Sequence, residues 1–246
     1  MKLYNDKIDV CFTPALYPFY HTADAVVVVV DIFRATTTMC AAFENGVQSM
    51  RPVATLGEAR AYKWQGWLVG AERNVKRCEF ADFGNSPFDY PTDKVLNKKI
   101  IFTTTNGTRA ITTASEAYRV AVGAFSNLAA VTKYCLHHKH NVIVLCAGYN
   151  DRFNIEDSLF GGALVSSLLE TGEFETGSDA AVVAYEMWQS QKDDMIGFIN
   201  RSEHIWRLRA NGLEDSVPFC LTLNTTQKVP ELVMLGGVLE LFPASF

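Results

Sequence analysis

The chain has 246 residues, of which 48% are apolar and 20% charged, and its formal net charge is −5. This length allows one substantial core or two small ones, and the composition is ordinary for a globular protein. No cluster of lysines and arginines stands out, which argues against a surface that binds nucleic acid.

The sequence indicates neither a membrane-spanning nor a secreted protein. The segment Met1 to Asp6 carries a cation and an acid and no apolar core, so it does not read as a signal peptide. The apolar stretch from Ala25 to Val30 is too short to span a bilayer. The six cysteines form no Cys-x-x-Cys pair, which favours reduced thiols. We therefore expect a cytoplasmic protein without membrane contact.

Strands and helices alternate along the first two thirds of the chain. The hydrophobic patterns predict strands over 9–13, 26–30, 47–53, 67–70, 100–102, 118–123 and 141–145. They predict helices over 37–45, 55–65, 110–116, 126–138 and 156–170, and Thr55 to Glu58 resembles a capping box. Residues 71–97 are expected to be a long polar connection without a period, 178–212 mostly helical, and 219–223 the beginning of short strands.

This alternation indicates an α/β fold with a mostly parallel or mixed central sheet and helices on both faces. Five consecutive valines, Val26 to Val30, are typical of a central strand that is covered on both sides. No linker marks a boundary, so we predict a single domain over residues 1–246, with two closely packed lobes as the alternative.

Three predicted strands are each followed directly by a loop rich in Gly, Thr, Asn or Arg that leads into a helix. The loops begin at Asp31, Thr103 and Cys146. In a parallel α/β sheet such loops converge outside the carboxyl ends of the strands, where ligands bind. Amides at helix starts, hydroxyls and arginines suit an anion, most commonly phosphate.

Acidic residues in or near these loops are candidates for metal binding and catalysis. Asp31 follows the valine run and is predicted to bind a divalent cation, with a helix N-cap as the alternative. Glu156 is expected to lean toward the sheet edge as a metal ligand or base, whereas Asp157 could complete a helix start. Asp82 and Glu72 lie in the long connection as plausible partners.

The sequence also contains candidate anion-binding and nucleophilic residues, some of which could have a purely structural role instead. A planar guanidinium group suits phosphate, carboxylate or sulfonate, and the candidates are Arg34, Arg73 and Arg109. The alternative is that these arginines are structural. The loop from Thr103 to Thr108 lacks the lysine of a Walker A motif and the dinucleotide-binding pattern. Cys146 could act as a thiol nucleophile, and His204 as an acid or base.

Taken together, these segments resemble the 2-phosphosulfolactate phosphatase family, the ComB-like proteins. The similar stretches are residues 31–38, Glu72-Arg73, 83–87, 103–108, 146–148, Glu156-Asp157, Ser202-Glu203-His204 through Cys220, and Val229-Pro230. The resemblance covers nearly the whole chain, in order. Departures occur at Ala71 and Val75, where Val75 replaces a common glycine, and at Gly161.

The resemblance implies a three-layer α/β/α fold and a cytoplasmic, Mg²⁺-dependent hydrolase that converts 2-phosphosulfolactate to sulfolactate and phosphate, a step toward coenzyme M. Its substrate is a small anionic phospho-acid, and whether the protein is a homo-oligomer stays open. The expected metal ligands are Asp31, Asp82, Glu156 and Asp157, and the expected catalytic residues are Asp31, Glu156, Cys146 and His204. The expected phosphate- and substrate-binding residues are Arg34, Thr36, Arg73, Asn85, Ser86, Thr104, Thr105, Asn106, Gly107, Thr108 and Arg109.

Within this hypothesis, Arg34 and the amides of residues 104–107 neutralise the phosphoryl group, and Arg109 or Arg73 meets the sulfonate or carboxylate. Three alternatives stay open at this point. The chain could be a non-catalytic binding protein for an anionic metabolite, a phosphatase of a different small phospho-acid, or a lyase or transferase acting on a similar acid.

Overall fold

The computed structural model describes residues 5–246. The expectation that the N-terminus carries no signal peptide concerns mainly Met1 to Tyr4, which lie outside the described residues. The strands are β1 (Asp6–Cys11), β2 (Val26–Val30), β3 (Ser49–Pro52), β4 (Leu68–Arg73), β5 (Lys76–Arg77), β6 (Lys99–Thr103), β7 (Arg119–Gly123), β8 (Val142–Cys146), β9 (Phe174–Thr176), β10 (Pro230–Leu235) and β11 (Val238–Pro243).

The helices fill the connections between these strands. They are α1 (Tyr17–Tyr20), α2 (Ala35–Glu44), α3 (Leu56–Trp64), α4 (Thr92–Val95), α5 (Gly107–Thr113), α6 (Leu128–His138), α7 (Ile155–Leu169), α8 (Asp179–Gln191), α9 (Met195–Ile199), α10 (Glu203–Ala210) and α11 (Val217–Cys220). Short 3-10 helices span Pro14–Leu16, Pro87–Asp89, Phe125–Asn127, Lys192–Asp194 and Glu214–Ser216. Within residues 5–246, no helix is long and apolar enough to cross a bilayer.

Within the same residues, eleven strands form one mixed sheet in the order β5-β4-β6-β3-β11-β10-β7-β2-β8-β1-β9. Helices pack against this sheet in the three-layer α/β/α arrangement that the sequence predicted. The valine strand β2 lies near the middle between β7 and β8, parallel to both, and all five valines are buried. The alternation of strand and helix therefore predicted the fold class correctly.

The C-terminal hairpin β10–β11 joins two parallel sets of strands. One set is β7, β2, β8, β1 and β9, and the other is β3, β6 and β4. The pairings β7–β10, β10–β11 and β11–β3 are all antiparallel, so the two sets run in opposite directions along the sheet. In a flat sheet their carboxyl ends would lie at opposite edges.

The two sets of carboxyl ends nevertheless meet. A Cβ atom built on Gly107, which follows β6, would lie only 2.5 Å from the Cβ of Ala35 and 2.9 Å from Asp31 Oδ2, both of which follow β2. Sheets twist by roughly 20–25° per strand pair, and two-stranded ribbons twist more. Five pairings separate β2 from β6, so we attribute the meeting of their ends to accumulated twist.

Two local predictions were wrong. Residues 71–97 are not irregular throughout, because β4 continues to Arg73 and turns at Asn74 and Val75 into β5. Residues 219–223 are not a strand, because Pro218 lies in the first turn of α11, a position that favours the start of a helix; the short strands expected further along the chain are present as β10 and β11. The capping box of α3 is confirmed: Thr55 Oγ1 accepts from the Glu58 amide and Glu58 accepts from the Thr55 amide.

Candidate active site

A cavity of about 620 Å³ opens where the loops after β2, β4 and β6 meet α10. The side chains on its wall are mostly polar or charged. They include Asp31, Arg34, Glu72, Arg73, Lys76, Asn85, Thr105, Asn106, Tyr149, His204 and Arg207. The cavity therefore collects residues that are widely separated in the sequence.

Asp31 lies directly after β2 and is only 9% exposed. Its Oδ1 accepts a hydrogen bond from the Ala35 amide at 3.3 Å, and its own amide donates to Thr36 Oγ1 at 2.9 Å. Burial raises the pKa of Asp31 to about 6; the charge of His204 and the Ala35 hydrogen bond act against this rise, and Glu72 and Glu156 add to it. Asp31 thus accepts from the first amide of α2 and also presents a carboxylate to the cavity.

Arg34 is 4% exposed and forms only long hydrogen bonds. Its guanidinium lies 3.3 Å from the Val75 carbonyl oxygen and 3.5 Å from Ser216 Oγ. Within residues 5–246 it forms no ion pair with a carboxylate. On the same wall, the buried Oδ1 of Asn85 has no hydrogen-bond partner in the described chain. A buried cation whose bonding capacity is unused is suited to an anionic ligand, whereas the unpaired Asn85 oxygen is an acceptor and suits a donor.

His204, at the beginning of α10, forms a pair with a buried carboxylate. Its Nδ1 lies 2.8 Å from Glu156 Oε1, and Glu156 is completely buried at the beginning of α7. Ser202 Oγ donates to the other carboxylate oxygen, Oε2, at 3.1 Å. The hydrogen bond to Nδ1 fixes the imidazole ring and leaves Nε2 as the nitrogen available for proton transfer.

The neighbouring acid, Asp157, ties three segments together. Its Oδ1 accepts from the Ile32 amide at 2.8 Å, and its Oδ2 accepts from the Gly148 amide at 3.2 Å and from Asn154 Nδ2 at 2.8 Å. Burial, with the negative charges of Asp31 and Glu156, raises the pKa of Asp157 well above its usual range. Both oxygens are occupied, so Asp157 joins the ends of β2 and β8 to α7.

Glu72 is the second carboxylate on the cavity wall. Its Oε1 accepts from the Val75 amide at 2.6 Å, which closes the β4–β5 turn, and its Oε2 lies 3.3 Å from the Thr105 amide. Asn74 and Val75 in this turn have φ values of 53° and 63°. Such a conformation is rare for a β-branched residue, so this turn is held in place by its contacts.

The structure places several predicted residues away from the cavity. Asp82 lies against Lys63 Nζ at 2.5 Å and the Val69 amide, and Arg109 pairs with Asp151 at 2.8 Å. Ser86 caps the 3-10 helix that follows it. Cys146 is completely buried at the end of β8, and burial raises the pKa of its thiol well above the usual range.

Some of the predicted threonines form hydrogen bonds within the loops, and others line the cavity. Thr36 binds the Asp31 amide, and Thr104 and Thr108 exchange hydrogen bonds between their hydroxyls and amides at 3.3 Å. Thr105 and Asn106 line the cavity, and Gly107 begins α5 beside Asp31. Arg73 also lines the cavity, although its guanidinium already donates to the Glu72 carbonyl and to Thr103 Oγ1.

The four expected metal ligands do not form one cluster. In the described part of the chain, no three His, Cys, Asp or Glu side chains come together closely enough to hold a metal ion. Asp31 and Glu72 are the acids on the cavity wall, and no hydrogen bond to Asp31 Oδ2 is found in residues 5–246. Mg²⁺ is commonly held by one or two carboxylates, with water and substrate phosphate completing its shell. The residues present fit that type of site and not an all-protein cage.

The cavity residues that the sequence analysis missed include Lys76, Tyr149 and Arg207. A signal for Arg207 was available, because it follows His204 by three residues and residues at this spacing share a face of a helix. Nothing in the local pattern pointed to Lys76 or Tyr149, since both lie beside turns.

The fold and the cavity define an α/β enzyme whose site combines cationic side chains, carboxylates and a carboxylate-bound histidine. The model of the 2-phosphosulpholactate phosphatase family matches residues 11–234, and the chain belongs to this family. A relative from Thermotoga maritima is 36% identical over 216 residues, which is 88% of this chain and 92% of the relative. A relative from Caldanaerobacter subterraneus is 33% identical over 84% of this chain and 87% of its own, and one from Clostridium novyi is 32% identical over 92% and 96%. All three are named probable 2-phosphosulfolactate phosphatase.

Proposed function

We propose that this protein hydrolyses 2-phosphosulfolactate to sulfolactate and phosphate with the help of Mg²⁺. The family and the names of the relatives support the substrate. The observation that carries the reaction type is the meeting of Asp31, Arg34 and the Glu156-bound His204 around one cavity. A cytoplasmic location and a step toward coenzyme M belong to the same proposal.

Arg34 binds the phosphoryl oxygens. Arg34 is buried without a carboxylate partner among the described residues, so its charge is available to a phosphate ester. Charge-assisted hydrogen bonds of this kind are among the strongest in proteins. Because Arg34 is buried, its hydrogen bonds stabilise the charge that develops as the bond to phosphorus breaks.

Asp31 and Glu72 would hold Mg²⁺ at the same wall of the cavity. When bound, the ion neutralises charge on the phosphoryl group and makes a bound water more acidic. The raised pKa of Asp31 is in keeping with this role, because burial disfavours the charged carboxylate and a bound cation would stabilise it.

His204 carries the proton. With Nδ1–H directed at Glu156, Nε2 accepts a proton from the attacking water as its oxygen forms a bond to phosphorus. The bond between phosphorus and the ester oxygen breaks, and its electron pair leaves on that oxygen, which takes a proton from solvent. The negative charge of Glu156 stabilises the imidazolium, which then returns its proton to water.

A phosphate-release assay tests this proposal. The wild type is offered 2-phosphosulfolactate, 2-phosphoglycerate, phosphoenolpyruvate and glycerol 2-phosphate, each with Mg²⁺ and with excess chelator. We expect release that is fastest with 2-phosphosulfolactate and is lost with chelator, and we expect Asp31→Asn to abolish it. Binding without release would make the protein a carrier, and a better substrate elsewhere in the panel would reassign the phospho-acid.

A further inference from the structure

Arg207 in α10 has an unusual environment for an arginine on a cavity wall. Its guanidinium carbon lies 3.6 Å from the centre of the Tyr149 ring. Its Nε is buried and has no hydrogen-bond partner within residues 5–246. Its ion-pair partner, Glu203, lies 3.6 Å away and has a side chain that is 78% exposed, so this contact is weak.

This environment holds the guanidinium ready for a ligand. Stacking on Tyr149 fixes the plane of the fork and leaves the N–H groups at its edge free to donate. The Arg207 side chain is 25% exposed and lines the cavity, so an acid group can reach its guanidinium there. An arginine that is fixed in this way loses little conformational freedom when it binds a carboxylate or a sulfonate.

The position of Arg207 relates it to the reacting group. Arg207 and His204 are three residues apart on α10, and both line the main cavity and a neighbouring one of about 270 Å³. Arg34 lies on a different element, before α2. A ligand whose phosphate is bound by Arg34 beside His204 can therefore direct a second acid group at Arg207.

The charge of the cavity favours a ligand with more than one acid group. Its wall carries the cations Arg34, Arg73, Lys76 and Arg207 and the acids Asp31 and Glu72, although the whole chain has a net charge of −5. A local excess of positive charge in an acidic protein attracts anions to that place. A phosphomonoester without a further acid group would leave part of this charge unused.

We propose that Arg207, held on Tyr149, binds the acid group on the carbon chain of the substrate and selects phosphomonoesters that carry such a group. This inference rests on the proposed function of the same cavity. It replaces the expectation that Arg109 or Arg73 fills this role, since Arg109 pairs with Asp151 and Arg73 is bonded to Thr103. Sulfonate and carboxylate share the chemistry, and the substrates below distinguish them.

The test compares steady-state constants of the wild type, Arg207→Met and Arg207→Lys at saturating Mg²⁺. The substrates are 2-phosphosulfolactate, 2-phospholactate with only a carboxylate, the phosphate ester of isethionate with only a sulfonate, and glycerol 2-phosphate with neither. Arg209→Met is the matched control, because Arg209 lies on the same helix, is half-exposed and pairs with Glu214 instead of lining the cavity.

We expect Arg207→Met to raise KM for at least one of the acid-bearing esters by roughly 10- to 100-fold, as for a lost charge-assisted hydrogen bond, with little change in kcat. The kcat/KM for glycerol 2-phosphate should not change, Arg207→Lys should recover part of the loss, and Arg209→Met should match the wild type. An equal loss of kcat/KM for glycerol 2-phosphate, or an unchanged KM for every acid-bearing ester, would overturn the inference.

A binding measurement separates this inference from the proposed function. Calorimetry with sulfolactate, which has no phosphate, should show binding to the wild type that weakens at least about tenfold in Arg207→Met and by a smaller factor in Arg207→Lys. If the wild type releases no phosphate but shows this dependence, the proposed function fails and the subsite stands. If phosphate is released but the affinity for sulfolactate is the same in the wild type and the Arg207 variants, the inference about Arg207 is wrong and the proposed phosphatase function is retained.

Discussion

Glu156 Oε1 lies 2.8 Å from His204 Nδ1, and Glu156 is completely buried while the imidazole faces the cavity. A sequence separation of 48 residues divides the two. The carboxylate thus sets the orientation of the histidine and compensates for its charge when it is protonated.

This pair predicts a graded loss of activity. His204→Gln should lower kcat by about 10²- to 10⁴-fold, the usual contribution of a general acid or base. Glu156→Gln should lower kcat by a smaller factor of at least about tenfold, because the amide still accepts from Nδ1 but carries no charge. His140→Gln, which changes a half-buried histidine that is paired with the exposed Asp24 and lies outside the cavity, serves as the control. Equal kcat values for His204→Gln and His140→Gln would remove His204 from the mechanism.

The raised pKa of Asp31 predicts that this residue lowers stability at neutral pH. The folded carboxyl titrates near pH 6 and the unfolded one near 4, so the unfolded state loses its proton first as the pH rises. The free energy of unfolding therefore falls between these pH values, by about 3 kcal/mol, and stays lower above them. Asp31→Asn keeps an acceptor for the Ala35 amide but does not titrate, so its free energy of unfolding should not decrease over this pH range.

Urea unfolding in the presence of chelator measures the effect. At pH 8, Asp31→Asn should be more stable than the wild type by up to about 3 kcal/mol, and the difference should shrink toward zero near pH 4. The same variant should be inactive, as is common when a strained active-site group is removed. An Asp31→Asn protein that is less stable than the wild type at pH 8 would contradict the assigned pKa.

The close approach of α5 to Asp31 predicts that Gly107 tolerates no side chain. In Gly107→Ala the new methyl group would lie 2.5 Å from the Ala35 Cβ and 2.9 Å from Asp31 Oδ2. We expect a loss of stability of about 1–3 kcal/mol and a fall in kcat, because Asp31 or α2 must move. Gly57→Ala is the control, since its nearest neighbour lies at 3.8 Å in the first turn of α3. Thermal unfolding that ranks the two variants equally would refute the close contact.

The burial of Cys146 predicts that its thiol is dispensable for the reaction. A nucleophilic cysteine must form a thiolate, and burial raises the pKa of this thiol well above the usual range. Cys146→Ala should retain kcat within about threefold, well below the effect of losing a nucleophile. A folded Cys146→Ala variant that loses activity completely would revive the covalent route.

The local elements were predictable because each depends on residues close in the sequence. Five buried valines specify a central strand, and the Thr55–Glu58 pair specifies the start of a helix. The turn between β4 and β5 was not predictable, because it contains no Asn-Gly or Asp-Gly pair. Glu72 is held there by a hydrogen bond from the Val75 amide.

The site was predicted in part, and by an incomplete argument. Converging loops in a parallel sheet led us to expect Asp31 and Asn106 in one place, and both line the cavity. The strands that precede them belong to sets of opposite direction, joined by a hairpin more than a hundred residues further along the chain. Such a reversal depends on long-range pairing, so local patterns could not show it. The sequence analysis chose Asp82 as a metal ligand and named Glu72 only as a plausible partner, whereas the fold turns Glu72, and not Asp82, toward the cavity.

The most direct test of the account is hydrolysis of 2-phosphosulfolactate in ¹⁸O-labelled water with Mg²⁺, followed by mass analysis of both products. The account predicts that the wild type forms sulfolactate and phosphate in equal amounts, with one labelled oxygen in the phosphate and none in sulfolactate, and that Asp31→Asn forms neither. Label in sulfolactate, or a reaction that proceeds equally well in Asp31→Asn, would contradict it.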